Sequence, residues 1–339
     1  MLQISTTWWL ATIGLIVGLL ALDLVAAAVR PRVVGFGEAV AWSLFYVGVA
    51  VVFGIVFAAH AGGDYGAQYF AGYIVEKSLS IDNLFVFVVI ISTFAVPEQH
   101  QHRVLTFGII LALILRAIFI ALGAVLLELF SFMFLVFGAL LIVTAIQLFR
   151  HRNEDPDVQD NVLVRVTRRI LPVTREYHGG RLLTRIDGRL VATPLLIVLV
   201  AIGSTDIVFA MDSIPAVFGV TDEAYIVLVA NAFALLGLRA LFFLVKGLLD
   251  RLVYLSTGLS VILAFIGVKL VLRWAHELND SVPEIETSGS LVVILVVLLV
   301  TTVASLIKVR RDPDARAHAG SLRSHEQDRS EADRGGERS

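Results

Sequence analysis

Nine apolar runs dominate this chain, and each is long enough to cross the hydrocarbon core of a bilayer. The runs cover residues 8–29, 39–59, 69–95, 105–127, 130–149, 194–220, 224–245, 252–272 and 289–307. About 20 apolar residues in a helix span roughly 30 Å of hydrocarbon, and a helix satisfies its own backbone hydrogen bonds where no water is present. The sequence therefore predicts an all-α polytopic membrane protein with nine transmembrane helices.

Charged residues lie mostly outside these runs. They make up 17% of the chain, against about 25% in soluble domains. Residues 150–193 hold 15 of them and residues 308–339 hold another 15. The sequence thus predicts helices 1–5 in residues 1–149, a basic cytoplasmic linker at 150–193, helices 6–9 in residues 194–307, and a disordered cytoplasmic tail at 308–339.

The distribution of Lys and Arg predicts the orientation of the chain in the membrane. Loops 1, 3, 5 and 7 and the tail together hold 22 of these residues, whereas the amino terminus and loops 2, 4, 6 and 8 hold one. Under the positive-inside rule, this split places the amino terminus outside and the carboxyl terminus in the cytoplasm. The expected location is the cytoplasmic membrane, with the lipid bilayer as the surrounding partner.

Several functional classes are disfavoured by what the sequence lacks. The formal net charge is −2 and the chain has no cysteine, which argues against nucleic-acid binding, disulfides and thiolate chemistry. Neither a P-loop nor an HExxH motif is present. The two hydrophilic segments, of 44 and 32 residues, are short for an enzyme domain. We therefore expect neither an enzyme nor an ATP-driven pump.

Two charged segments inside the apolar runs share one pattern. In each, two carboxylates lie six residues apart and a small polar residue follows: Glu76, Asp82 and Asn83 in the first segment, and Asp206, Asp212 and Ser213 in the second. The next helix of each half carries an arginine, and the helix after that carries Gln147 or Lys269. Since spans 3 and 6 run in opposite directions, spans 3–5 and 6–8 are predicted to form an inverted repeat, as in many secondary transporters.

The side chains of these segments favour a site for a hard cation. Pro215 removes one backbone donor and frees the carbonyl of Met211, which adds a backbone oxygen to the carboxylate and amide groups. Oxygen ligands suit Mn²⁺, Mg²⁺ or Ca²⁺ better than Zn²⁺ or Cu⁺. The predicted metal ligands are Glu76, Asp82, Asn83, Asp206, Met211 and Asp212. The predicted charge-pairing residues are Lys77, Arg116, Arg239 and Lys269.

The residues alone leave three alternatives open. The intramembrane charges are also compatible with structural ion pairs that fix helix register and bind no ligand. They are compatible with export of another small solute, such as an amino acid whose carboxylate is bound by Arg116 and Arg239. The third alternative is a membrane scaffold of a stress-response complex. Asp23 lies near a membrane edge, where a structural role explains it equally well.

Two runs of residues resemble the signatures of a known family. Residues 73–87, YIVEKSLSIDNLFVF, resemble the first signature of the TerC/Alx family of integral membrane proteins, and residues 205–217, TDIVFAMDSIPAV, resemble the second. Residues 101–105, 236–241 and 265–269 match further blocks of the family in the same order. The resemblance extends from about Glu38 to Leu272.

This resemblance implies a function and assigns roles to particular residues. The family is linked to Mn²⁺ export across the cytoplasmic membrane and to tellurite resistance, and it is placed with the LysE-type exporters. It implies no cofactor besides the transported ion, and it allows a homo-oligomer or stress-response membrane partners. The four acids at 76, 82, 206 and 212 are the positions expected to handle the metal, with Asn83 beside them. One departure is Gly203, where many members have Glu.

Overall fold

The computed structural model describes most of the apolar part of the chain. It covers residues 4–29, 35–94, 96–150, 174, 181–186, 189–248, 254–279, 281–283 and 285–311. The greater part of the predicted linker and nearly all of the predicted disordered tail lie outside these ranges. The side chain of Asp82 is also outside the description, although its backbone lies in a helix.

Long helices account for almost all of the described residues. They are α1 (Thr6–Val29), α2 (Phe36–Ala61), α3 (Gly63–Thr93), α4 (Glu98–Leu129), α5 (Met133–Arg150), α6 (Pro194–Phe218), α7 (Ala224–Leu235), α8 (Leu238–Leu248), α9 (Leu255–Leu278) and α10 (Thr287–Arg311). Their order follows the nine apolar runs of the sequence, except that the seventh run is divided between α7 and α8. The protein is thus an integral membrane protein built mainly from apolar helices.

The number of membrane crossings is less sharply defined than the helices themselves. Among the described residues, seven helices are long and apolar enough to span a bilayer, and α7 with α8, which meet at a bend of 42°, make up an eighth candidate. Helix α3 has 31 residues, or about 46 Å at 1.5 Å per residue, but it contains several charged residues. The count of nine spans stays a prediction that depends on α3.

A short β-ribbon closes the linker and is an addition to the all-α prediction. Strands β1 (Leu183–Ile186) and β2 (Arg189–Ala192) pair antiparallel, with Leu183 opposite Ala192. The dipeptide at 187–188, Asp-Gly, is typical of a two-residue hairpin turn. The Thr193 hydroxyl donates to the carbonyl of Arg181 at 2.7 Å, which joins the ribbon to the start of α6.

The central helices bury most of the core. Helix α3 packs against α2, α6, α7, α8 and α10, and α4 packs against α6 and α7. In the apolar stretch of α6, 50% of the residues are buried, whereas only 17% are buried in the apolar stretches of α1 and α10. Helices α1 and α10 therefore lie at the periphery, and α3, α4, α6 and α7 surround the polar residues described below.

Helices α5 and α9 cross at two glycines that face each other. A Cβ atom on Gly138 would lie 2.8 Å from the carbonyl oxygen of Gly267, and a Cβ atom on Gly267 would lie 2.8 Å from that of Gly138. The backbone nitrogens of Val271 and Ile142, each four residues further along, lie 3.1 Å from these positions. The contact is reciprocal, and it is close enough that only glycine fits on either side.

Replacing either glycine by alanine should therefore destabilise the protein. A Gly→Ala change in a helix normally helps by reducing backbone entropy, but Gly138→Ala and Gly267→Ala each force the backbones of α5 and α9 apart. We expect a loss of about 1–3 kcal/mol, as for other overpacked sites, measured as a lower Tm of the purified protein in detergent.

The matched control for this prediction is Gly18→Ala on α1. A Cβ atom on Gly18 would meet no other part of the described structure within 4 Å, so this change should leave the Tm equal or slightly raised. Equal Tm values for all three variants would contradict the close packing of α5 against α9.

Candidate functional site

Arg116 lies near the middle of α4 and is completely buried. Its Nη1 atom forms an ion pair with Glu76 of α3 and donates to the Ser213 hydroxyl of α6 at 3.3 Å. Its Nη2 atom donates to Asp206 Oδ1 at 3.3 Å. A guanidinium in the hydrocarbon layer is costly unless it is paired, and here two carboxylates from two different helices pair with it.

Asn83 completes the shell around this guanidinium. In the amide orientation that satisfies both of its groups, its oxygen accepts from Arg116 Nη2 at 2.9 Å and its nitrogen donates to the carbonyl of Leu79 at 3.1 Å. Each Nη atom of Arg116 therefore faces one acid and one neutral polar group. We call Glu76, Asn83, Arg116, Asp206 and Ser213 the central cluster.

Helical periodicity explains why these side chains converge. Glu76 and Asn83 are seven residues apart on α3, and Asp206 and Ser213 are seven apart on α6, so each pair occupies one helix face. The two faces meet with α4 between them. Nη1 bridges the acid of α3 to the neutral residue of α6, and Nη2 bridges the acid of α6 to the neutral residue of α3.

The central cluster has more acceptor capacity than the described donors use. Glu76 is 0% exposed and Asp206 is 2% exposed. Glu76 Oε2 and Asp206 Oδ2 accept no hydrogen bond from the described part of the chain. Two carboxylates beside one guanidinium leave a formal charge of −1. The cluster can therefore accept a further cation through carboxylate, amide and hydroxyl oxygens, which are ligands of hard metal ions.

Asp212 points to a different neighbour. It is six residues after Asp206, which turns its side chain about 120° around α6. Its Oδ1 atom accepts from the hydroxyl of Thr144 on α5 at 2.8 Å. The side chain of Met211 is 49% exposed on the outer surface of α6. Pro215 lies inside this helix, so the Met211 carbonyl has no amide donor at the usual position.

The other three predicted charge-pairing residues have separate partners. Lys77 Nζ donates to the carbonyl of Ala234 in α7 at 3.0 Å. Lys269 Nζ donates to the hydroxyl of Ser290 in α10 at 3.0 Å. Arg239 forms an ion pair with Asp23. Of the four predicted bases, the structure therefore brings Arg116 to the acids of the central cluster.

Asp23 forms a second buried ion pair that sequence reasoning did not identify. Its Oδ1 atom accepts from Arg239 Nη2 at 2.9 Å and from the Tyr46 hydroxyl at 3.1 Å. These residues come from α8, α1 and α2, and Arg239 follows Asp23 by 216 positions. Asp23 was noticeable as a charge in an apolar run, but nothing in the sequence indicates its partner. Likewise, nothing in the sequence indicates that the Thr144 hydroxyl, in an apolar helix, is the hydrogen-bond donor to Asp212.

The described side chains contain no group of three or more His, Asp and Glu residues that could hold a metal ion. Asp82 is not among those side chains. The departure at Gly203 also has a structural context, because a Cβ atom there would lie 2.7 Å from the Leu111 side chain of α4. A larger residue at this position requires Leu111 to move. The described part of the central cluster thus offers two carboxylates, those of Glu76 and Asp206.

Comparison with known proteins agrees with the resemblance of the signatures. The sequence profile of the integral membrane protein TerC family matches residues 61–313. The thylakoid membrane protein TERC of Arabidopsis thaliana is 46% identical over 226 residues, which cover 67% of this chain and 59% of that protein. No solved structure matches the chain.

Bacterial relatives align over nearly the whole length. An uncharacterized membrane protein of Mycobacterium tuberculosis is 46% identical over 325 residues, covering 92% of this chain and 82% of that protein. An uncharacterized membrane protein of Myxococcus xanthus is 42% identical over 311 residues, covering 92% and 95%. The family profile and these alignments both include α3, α4 and α6, which hold the central cluster, and the chain belongs to the TerC family of integral membrane proteins.

Proposed function

We propose that this protein is a secondary transporter that exports a divalent cation, Mn²⁺ first among them, across the cytoplasmic membrane in exchange for protons. The observation that carries the proposal is the central cluster, in which two buried carboxylates from α3 and α6 enclose the guanidinium of α4. Ionisable groups inside a membrane mark ion pathways as a rule, because they are too costly to keep without a role.

The ligand chemistry of the central cluster supports a hard divalent ion. Glu76 Oε2 and Asp206 Oδ2 accept no hydrogen bond from the described residues, and the side-chain oxygens of Asn83 and Ser213 contact the same guanidinium. The choice of Mn²⁺ over Mg²⁺ or Ca²⁺ rests on the resemblance to the TerC/Alx signatures. In this proposal Asp82 is a further ligand. Asp212 and the Met211 carbonyl bind the ion at a second position along α6. No resident cofactor is needed.

Arg116 gives the proposed exchange a physical basis. While the ion is absent, the guanidinium neutralises one unit of acid charge and holds α3 and α6 together. A divalent ion that enters has to compete with Arg116 for the same carboxylates. In an exchange with protons, the acids release protons when the ion binds and take up protons when it leaves, so the ion and the protons occupy the same carboxylates in turn.

An inverted repeat of spans 3–5 and 6–8 is part of this proposal, and helix packing supports it. In such a repeat, α3 corresponds to α6, and the broken helix of α7 and α8 corresponds to α4. The contact of α3 with α7 and α8 thus has its counterpart in the contact of α6 with α4, and both contacts are present. The third helices of the two halves, α5 and α9, also contact each other, through Gly138 and Gly267. The matched residues Glu76 and Asp206 lie on opposite sides of one guanidinium, that of Arg116.

The amino-acid exporter is less well supported than the cation exporter. Binding a substrate carboxylate needs a guanidinium that is available, whereas Arg116 and Arg239 are already engaged by Glu76, Asp206 and Asp23. The scaffold alternative makes no use of the unpaired carboxylate oxygens. We therefore retain the cation exporter, for which both charge and ligand type are suitable.

The proposed orientation predicts which loops face the cytoplasm. Because the natural chain has no cysteine, single cysteines can be introduced at exposed positions and labelled with a membrane-impermeant maleimide. Ser281→Cys, between α9 and α10, should react in intact cells. Arg185→Cys, in β1, should react only after the membrane is permeabilised. Labelling of both positions from the same side would contradict the orientation and the inverted repeat.

Neutralising either acid of the central cluster should abolish export. Glu76→Gln and Asp206→Asn keep side-chain size and remove the charge that attracts the ion, so Mn²⁺ efflux from loaded cells should fall at least tenfold. Asp222→Asn is the matched control, because Asp222 is half-exposed and pairs with Arg273 at 2.6 Å, away from the cluster. Its variant should export normally. The amount of protein in the membrane is measured in parallel.

A second comparison separates an ion-binding role from a structural ion pair. A buried base left without its acid is destabilising by about 3–5 kcal/mol, so a purely structural pair predicts a fall in protein abundance that Arg116→Gln restores. If the acids bind the ion, the double variants Glu76→Gln with Arg116→Gln and Asp206→Asn with Arg116→Gln remain inactive at normal abundance. Recovery of export in either double variant would remove that acid from the site.

A further inference from the structure

The seventh apolar run is broken in a way that its repeat partner is not. Helix α7 ends at Leu235 and α8 begins at Leu238, with a bend of 42° between them. Gly237 has φ +80°, and a Cβ atom there would lie 2.6 Å from the ring of Tyr46. Glycine is therefore required at the break. The corresponding helix of the other half, α4, runs unbroken from Glu98 to Leu129.

The break exposes backbone carbonyls at the carboxyl end of α7. The amide of Leu236 donates to the carbonyl of Ala232 at 3.0 Å, and the chain then leaves the helical path. The carbonyl of Ala234 receives its hydrogen bond from a side chain, Lys77 Nζ, at 3.0 Å. The carboxyl end of a helix carries a partial negative charge from such carbonyls, so it attracts a cation, and an ammonium group is in contact with it.

The lysine of one half contacts the break of the other half. Glu76 aligns with Asp206 in the repeat, which places Ile207 at the position equivalent to Lys77. The half that supplies Ile207 faces the unbroken helix α4, and the half that supplies Lys77 faces the broken helix. An ammonium inside the apolar part of the protein costs several kcal/mol without a partner. The exposed carbonyl end of α7 is the partner that the described residues provide.

We infer that the carboxyl end of α7 is a monovalent-cation site that the ammonium of Lys77 fills permanently. Backbone carbonyls at the end of a half-helix coordinate Na⁺ in membrane transporters, and a tethered ammonium of the same charge satisfies the same oxygens. In this chain the lysine makes the site independent of the salt around it. Removing the lysine should open the site to Na⁺. The inference stands apart from the proposed metal export, since it concerns different atoms.

The test uses the full-length purified protein in detergent and involves no manganese. Lys77→Met removes the charge and keeps the length of the side chain. Its Tm should rise by several degrees in NaCl relative to choline chloride at equal ionic strength, in a saturable manner, because binding to the folded state alone stabilises it. The natural protein should have the same Tm in both salts. Lys269→Met is the control, because it removes a second ammonium group, which donates to the Ser290 hydroxyl of α10.

The outcomes separate the site from a simple structural lysine. Lys77→Gln, which also removes the charge and has a shorter side chain, is examined in the same way in case the methionine variant folds poorly. Recovery of either variant as folded protein only in NaCl also supports the site. The inference is wrong if the Lys77 variants have equal Tm values in NaCl and choline chloride. It is also wrong if Lys269→Met shows the same response to Na⁺, or if neither Lys77 variant folds in either salt.

Discussion

The cost of an ionised side chain in the hydrocarbon layer governs this structure. A charged residue at the centre of a membrane helix costs about 2.5–3.5 kcal/mol for insertion, and Arg116 is fully buried there. Its position is tolerable because α3 and α6 each present an acid and a neutral polar group to it. These four contacts fix the rotation of three helices about their axes. The packing of the central core therefore follows from the neutralisation of one guanidinium.

The same constraint operates a second time at the edge of the core. Arg239 matches Arg116 in its sequence context, but its acid, Asp23, comes from α1, and the Tyr46 hydroxyl of α2 donates to that same acid. These two helices lie before the matched repeat, and α1 also contacts the core through Leu19 and through a hydrogen bond between Thr12 and Tyr225. The pair with Asp23 thus gives a peripheral helix a defined position. The ion pair helps to position the helix because apolar packing is a weaker constraint in a membrane than in a soluble protein, since lipid competes equally for apolar surfaces.

Hydropathy alone predicted most of the helices, because the bilayer imposes one length and one secondary structure on every crossing segment. The first apolar run, 8–29, became Thr6–Val29, and the run 194–220 became Pro194–Phe218. Helical periodicity also placed Glu76 with Asn83 and Asp206 with Ser213, which the structure shows facing Arg116. The break at Gly237 was missed, because a single glycine in an apolar run does not reveal a positive φ. The pairing of Asp23 with Arg239 was missed because hydropathy does not determine which helices are neighbours.

The differences between the two halves carry mechanistic information. If spans 3–5 and 6–8 are inverted copies, a state with identical halves has the same access to both sides of the membrane. A transporter that opens to one side at a time needs two halves with different conformations. The halves swap these conformations when the open side changes. Here one half has a broken helix held by Lys77 and the other an unbroken helix that presents Arg116 to the acids. In the proposed exporter, the break at Gly237 acts as a hinge, and the contact of the guanidinium with α3 and α6 is broken and remade when access changes.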